Sequence, residues 1–480
     1  MSNADSFDIV VIGAGPAGKA AAVSAALFGK KVVVVEKTAV VGGAAINTGT
    51  LPSKTLRETA LALSGFRSRK LYGVDLSLRR EVSVGELLHH ERMVKITEQS
   101  QMIELLNQFK VPVIHGEASF VDAHTIKIQL PNGHERRLFT EYVVIGIGSA
   151  PVRPALYPFD HARILDSDEI VEMAAIPKSL AVVGAGVIGA EYACTFATLG
   201  VAVDILDGRD ALLPFLDMEV SKALELAMKD LGIRFHWKEQ VTGCEVSDEG
   251  AVKLTLSSGK TIATEAVLVA AGRQSHTERL NPEAANLLLG KRGLIPVNET
   301  FRTNVENIYA VGDVIGFPAL ASTSAEQGRV AACHICGSEY YKQMSPVLPT
   351  GIYTIPEIGM VGETEGSLKS KNIEYIVGRA DYAQNPRGKI IGDTTGFLKL
   401  LFDTNEMKLL GASAIGEQAT ELIHVAMTVM LAGSGADLFL RSCFNYPTLG
   451  DLYKLATHDA LLKKMERKGV VGILGLSADF

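Results

Sequence analysis

The sequence predicts an α/β fold: two doubly wound units of parallel strands and helices, followed by a C-terminal α+β region. Three observations carry that prediction. A strand, Gly-rich turn, helix and second strand occur in that order twice, at Asp8–Lys37 and at Leu180–Asp207. In both copies 23 residues separate the first glycine from the acid ending the second strand (36 − 13 and 207 − 184). From about Leu348 the pattern changes to short strands with hairpin signals, as in GIYTIPEIGMVG and FLKLLFDTNEMKLLGASAIG. A length of 480 residues, 47% hydrophobic and 21% charged, fits two to four packed domains.

The first element, DIVVIGAGPAGKAAAVSAALFGKKVVVVEK, reads as an apolar strand, a GxGxxG turn, an Ala-rich helix and a strand closing on Glu36. LAVVGAGVIGAEYACTFATLGVAVDILD repeats the plan and closes on Asp207. One GxGxxG is a weak signal, but two in full strand–helix–strand context are a strong one for Rossmann-like dinucleotide binding. Gly13 and Gly184 allow the tight turn, Gly15 and Gly186 let backbone approach a pyrophosphate, and Gly18 and Gly189 let helix and strand pack closely. The helix start then offers unpaired N–H groups and a partial positive charge to phosphate. Glu36 and Asp207 stand where an acid hydrogen-bonds an adenosine ribose. Two bound dinucleotides are therefore expected, and hydride exchange between a flavin and a nicotinamide is the simplest chemistry that needs both.

Between the two copies, a helix is predicted over Thr55–Phe66 and a long amphipathic one over Val82–Phe109, then short strands up to YVVIGIGSAP (Tyr142–Pro151). VLVAAGRQ (Val267–Gln274) closes the second unit, and NIYAVGDVIGFPALASTSAEQGRVAA (Asn307–Ala332) reads as a strand, an acidic Gly turn and a helix. An apolar helix over Thr420–Leu431 and a last one over Leu449–Met465 complete the C-terminal region, which carries no nucleotide signature and reads as an interface or lid domain. The expected division is 1–151, 152–275, 276–346 and 347–465, with 466–480 as an extension.

At this point the chain resembles the flavoprotein disulfide reductases, the family of glutathione reductase and dihydrolipoamide dehydrogenase. Six ordered motifs carry the resemblance from Phe7 to about Leu462: GAGPAG with Glu36, GGxxxxxGxxPSK, GIGSAP in place of ATGSxP, GAGVIGAEYA, Gly272–Arg273 and YAVGDV. It implies an FAD site formed by Gly13, Gly15, Gly18, Glu36, Gly43, Thr50, Lys54, Gly148, Asp313 and Ala321, with Asp313 on the ribityl chain. It implies an NAD(P) site formed by Gly184, Gly186, Gly189, Glu191, Asp207, Arg209 and Gly272. Lys54, paired with Glu191, is expected near flavin N5, where an ammonium stabilises reduced flavin.

The departures decide the activity. The family's redox cysteines fall at Ala45 and Thr50, and Tyr446 and Asp451 replace the His and Glu of its HPTxxE motif. Without a thiol the proton shuttle has nothing to serve, so disulfide reduction is not expected. NTGT-PSKTLRE, TGIYTIPEIGMVG and FNYPT resemble the soluble pyridine nucleotide transhydrogenase branch, which passes hydride between NADPH and NAD through FAD; Ala45 departs from it, because the first cysteine is often kept there. The resemblance implies an obligate homodimer in which Tyr446 closes the partner's flavin site. A quinone or dye reductase, and a non-catalytic FAD-binding subunit or redox sensor, are the alternatives. At the second nucleotide site Asp207 favours a free 2′-hydroxyl, while Arg209 either meets a 2′-phosphate or is a solvated loop charge; Leu213 and Pro214 fill the region of a second arginine.

The remaining signals exclude more than they add. A net charge of −7 gives no general attraction to nucleic acid. Five scattered cysteines make no secreted disulfide framework, no apolar run approaches a membrane span, and MSNADSFDIV enters a strand at once, so a cytoplasmic location is expected. Cys333-His334-Ile335-Cys336 reads as packing residues of a helix, since no second CxxC or HxxxH supplies metal ligands. His89 and His90 are expected in solvent. The stretch Lys463–Phe480 is either a loose tail or docks on a partner subunit.

Overall fold

Runs of Val and Ile buried on both faces make the central strands. A computed structural model describes residues 5–66, 83–247, 250–340 and 343–467, which divide into two compact units. The first holds Met1–Leu56, Val84–Ala175 and Val269–Ser345; the second holds Arg57–Ser83, Ile176–Leu268 and Pro346–Phe480.

In the first unit the strands Val113–His115, Val32–Glu36, Ser6–Ile12 and Glu135–Ile145 lie side by side and parallel, with Ile308–Ala310 added against the last. Every residue of Val32–Glu36 is buried, as a parallel strand covered on both faces requires. Glu135–Ile145 changes character along its length. Its first half alternates in burial and pairs antiparallel with Thr125–Gln129, and its second half is buried among parallel neighbours. The helices Pro16–Leu27 and Ala321–Ile335 pack so closely that a Cβ on Gly328 would stand 2.2 Å from the Ala17 carbonyl oxygen.

In the second unit, Arg234–Trp237, Ala202–Asp207, Ser179–Val183 and Ala266–Val269 follow in that order, with the first three parallel. A small antiparallel sheet of Val241–Val246, Val252–Leu256 and Thr261–Thr264 adjoins them in sequence. The C-terminal region is a five-stranded sheet, ordered Thr350–Ile352, Ile358–Gly362, Leu409–Ile415, Phe397–Asp403 and Tyr375–Asp381. The Ala419–Leu431 and Leu452–Arg467 helices pack on it over a core that includes Phe402, Phe439 and Tyr453. Two glycines set the spacing: a Cβ on Gly359 would meet Ala419 O at 2.2 Å, and one on Gly378 would meet Ala456 O at 2.0 Å.

Three helix limits differ from expectation. The helix after the second Gly turn starts at Thr50, not Thr55, and ends at Leu63, so Lys54 lies within it. Pro52 falls in the first turn, where its missing N–H has no intrahelical partner to lose. The long helix runs Val84–Gln108, with Val82 outside the described residues. The last begins as a 3₁₀ turn, Leu449–Asp451, before Leu452–Arg467. Of the expected extension, residues 468–480 lie outside the described residues. Among the described residues no helix is long and apolar enough to cross a membrane.

Candidate dinucleotide sites

The first Gly-rich turn is held by backbone alone. Gly13, at φ 102°, donates to the Val35 carbonyl at 2.8 Å, and a Cβ on it would stand 2.4 Å from Gly146 O. A Cβ on Gly18 would stand 1.9 Å from Gly13 O, so this turn excludes any side chain there. The second turn docks on the first: Gly42 N donates to Ala14 O at 2.9 Å, and a Cβ on Gly43 would come within 3.0 Å of the Gly15 Cα. The helix behind begins at Pro16 with no side-chain cap from Gly15. Bare backbone, a helix start without a cap and close-set glycines fit a pyrophosphate.

Glu36 is 6% exposed and does more than wait for a ribose. Its Oε2 accepts from the Ala14 N–H at 2.8 Å, while Oε1 accepts from Thr38 N at 2.9 Å and Thr38 Oγ at 2.8 Å. The second unit repeats the device. Asp207 Oδ2 accepts from the Ala185 N–H at 2.7 Å, Gly184 (φ 109°) donates to Leu206 O at 2.8 Å, and a Cβ on Gly189 would stand 2.0 Å from Gly184 O. Gly186 starts the Val187–Thr198 helix without a side-chain cap, and a Cβ there would meet nothing within 4 Å. In both units, then, the strand-end acid also braces the turn. That bond follows from the fixed interval between first glycine and acid, and the sequence reading missed it.

Arg209 is half exposed and closes on Asp207: its Nε and Nη2 grip the carboxylate at 2.9 and 2.6 Å, and its N–H adds a third bond at 2.9 Å. Burial pushes the Asp207 carboxyl up, but the bonds from Arg209 and Ala185 outweigh it and hold it at about 2. Lys238, in left-handed backbone (φ 60°), donates its N–H to Arg209 O at 2.9 Å and brings its ammonium to 3.3 Å from Asp210. Sequence reasoning did not single it out, since nothing in the linear pattern links residue 238 to 209.

In the first unit Asp313 lies in the 3₁₀ turn Gly312–Ile315 and accepts from Ser149 Oγ at 2.6 Å. Arg273 donates to that hydroxyl at 3.0 Å, to Ser149 O at 2.8 Å and to Asp168 at 2.9 Å. The GIGSAP and GR motifs are thus joined on Asp313 through Ser149, a residue to which the sequence reading gave no role. Gly148 (φ 67°) accepts from Ser275 Oγ at 2.8 Å, Gly272 has φ 100°, and Ala321 opens the helix after the turn. Thr50 begins its helix in an exposed position, and Lys54 Nζ lies 3.3 Å from Ser53 Oγ. In the second unit Glu191 is 5% exposed and its Oε1 accepts from Tyr353 N at 2.8 Å. Tyr446 precedes a cis proline and is 78% exposed in the single chain.

The cysteines carry no redox pair. Cys194 is fully buried and its thiol is pushed up to about 12 by burial. Cys333 is buried inside its helix, while Cys336 caps it half-buried, and none of the five cysteines is in a disulfide. His89 and His90 are exposed.

Two glycine turns of one design, each braced by its own acid, define a protein built to hold two dinucleotides. A model of the pyridine nucleotide-disulphide oxidoreductase family matches residues 7–328, and one of its dimerisation domain matches 348–457. The chain belongs to that family. It is 44% identical over 458 residues to the soluble pyridine nucleotide transhydrogenase of Mycobacterium bovis (strain BCG / Pasteur 1173P2), covering 95% of this chain and 97% of that one. It is 38% identical over 464 residues to the protein of the same name from Colwellia psychrerythraea, covering 96% and 99%. Among solved structures it is similar to LpdA from Mycobacterium tuberculosis, with a TM-score of 0.87 at 25% identity over 94% of this chain and 98% of that one. The HOCl-induced flavoprotein disulfide reductase RclA from Escherichia coli superposes with a TM-score of 0.84, also at 25% identity, over 94% and 99%.

Proposed function

We propose that the chain is an FAD-dependent soluble transhydrogenase that catalyses NADPH + NAD⁺ = NADP⁺ + NADH by a ping-pong route, without a redox disulfide. The observation that carries this reading is the combination of two intact dinucleotide turns with Ala45 and Thr50 at the positions of the family's cysteines. The likeness to transhydrogenases over nearly the whole chain supports it. FAD, when bound, supplies a two-electron acceptor that takes hydride from one nucleotide and returns it to the other.

The chain's own residues position and stabilise. Gly13, Gly15, Gly18 and Gly43 hold the FAD pyrophosphate by backbone, Glu36 meets the adenosine ribose, and Asp313, fixed by Ser149, meets the ribityl chain, with Thr50, Gly148 and Ala321 lining the site. Gly184, Gly186, Gly189 and Gly272 receive NAD(P), with Asp207 and Arg209 at its adenosine ribose. Lys54 places a positive charge where reduced flavin is negative, and Tyr446 of a partner subunit closes the face that relatives use for a disulfide. Catalysis is then positioning plus electrostatics, with no side chain required to move a proton. Residues 1–151 and 276–346 form the FAD domain, 152–275 the NAD(P) domain and 347–465 the interface of a cytoplasmic homodimer.

Purified flavin-loaded protein mixed with NADPH and thio-NAD, with and without a quinone, tests the reading. Fast thio-NADH formation is expected. Turnover only with quinone transfers the assignment to a quinone or dye reductase, and flavin that NADPH leaves oxidised indicates a non-catalytic subunit or sensor.

A further inference from the structure

A dual-nucleotide site needs a way to accept a 2′-hydroxyl and a 2′-phosphate at one place, and the 207–210 turn supplies one. The Asp207 carboxylate has about four lone-pair sites, and four donors fill them: Ala185 N, Arg209 N, Arg209 Nε and Arg209 Nη2. A ribose 2′-hydroxyl that donates to Asp207 must therefore displace part of the Arg209 grip. A 2′-phosphate has no use for Asp207, which would repel it, and must draw the guanidinium off the acid. Arg209 is about half exposed, with a side-chain exposure of 49%, so it has room to move. At Gly208 in this turn the Gln240 side chain lies 3.3 Å from where a Cβ would stand.

A second cation is held in the same manner. Lys238 is paired with Asp210 across 3.3 Å at side-chain exposures of 73% and 68%, a contact that water weakens and a phosphate readily outcompetes. Backbone ties Lys238 N to Arg209 O at 2.9 Å and Glu239 N to Asp207 O at 3.2 Å, which fixes the two loops in register.

We infer that Arg209 is a two-position specificity switch: closed on Asp207 in the free protein, and turned with Lys238 onto the 2′-phosphate of NADP(H). The inference rests on the transhydrogenase reading and says how one site serves both nucleotides. Because each nucleotide must open the same ion pair, neither gains the full advantage of a dedicated acid or a dedicated arginine cluster. Asp207 stays braced by Ala185 in both positions, so the glycine turn does not move with the switch.

Calorimetric binding of 2′,5′-ADP and 5′-AMP to the flavin-loaded protein reads the switch without turnover. Arg209→Met is expected to weaken 2′,5′-ADP about tenfold to a hundredfold, as loss of a charge-assisted bond does, while 5′-AMP binds equally or more tightly. Arg209→Lys, which keeps the charge but not the two-pronged hold, is expected to weaken 2′,5′-ADP less than the Met variant does. Lys238→Met is expected to weaken 2′,5′-ADP severalfold and leave 5′-AMP unchanged. Equal loss of both ligands in Arg209→Met, or no loss of either, overturns the switch, and unaltered 2′,5′-ADP binding in Lys238→Met removes the second cation from it. If the wild-type protein transfers hydride from NADPH to thio-NAD yet shows either result, the switch fails and the transhydrogenase reading stands. If it transfers none, that reading fails first.

Discussion

Replacing Lys399 by Met should cost the protein about 3 kcal/mol, and the structure says why. Lys399 sits in the Phe397–Asp403 strand with a side chain 2% exposed, pairing with Asp217 at 2.9 Å, Glu219 at 3.0 Å and Glu365. Asp217 is equally buried and caps the Met218–Asp230 helix by accepting from Glu219 N at 3.0 Å. Removing one partner of a fully buried pair costs about 3–5 kcal/mol, because the other charge stays behind. The low end applies: Asp217 keeps its capping bond, and Glu219 and Glu365 are 41% and 26% exposed, so water screens them. The pH dependence gives a second signature. Burial raises the Glu365 carboxyl, but bonds from Lys399 and Tyr375 outweigh it and hold it at about 2. A depressed carboxylate contributes stability that is present above its unfolded value, about 4.3, and lost as pH falls toward 2. The Lys399→Met variant lacks that contribution, so the gap between it and wild type should shrink over the same window. Urea unfolding followed by Trp237, the sole tryptophan, reads this unit directly. A gap below about 1 kcal/mol at pH 7, or one unchanged between pH 7 and pH 3, refutes the argument.

Four further outcomes are expected. Gly189→Ala forces a Cβ to 2.0 Å from Gly184 O, so the variant should keep its flavin yet lose NADPH-dependent flavin reduction, measured by stopped flow. Gly18→Ala, at 1.9 Å from Gly13 O, should instead purify without flavin, seen in the visible spectrum. Lys54→Met should slow flavin reduction by about 10²-fold with little change in nucleotide affinity, as loss of a charge-stabilising group does. A thiol reagent should reach Cys194 only on unfolding, because burial covers it fully and pushes its thiol up to about 12.

The sequence showed the two nucleotide turns because glycine at a fixed place in a turn is a steric necessity that survives in one dimension. Gly13, Gly18 and Gly189 are each explained by a single backbone oxygen that leaves no room for a Cβ. The same logic located Glu36 and Asp207 but not their second task, since a carboxylate bracing Ala14 or Ala185 looks the same in sequence as one awaiting a ribose. The helix expected from Thr55 starts at Thr50, with Pro52 in its first turn. Interactions that join distant segments were invisible: Lys399 with Asp217 is 182 residues apart in sequence, and Ser149 with Asp313 is 164. Arg209 was legible as a residue of interest, yet its closure on Asp207 is a matter of rotamer, which residue type does not set.

Anaerobic titration of the flavin-loaded protein with NADPH shows whether a redox disulfide takes part. With Ala45 and Thr50 where a disulfide would stand, uptake of two electrons per FAD and no thiolate-to-flavin charge-transfer band are expected. Uptake of four electrons, or the appearance of that band, would contradict that expectation.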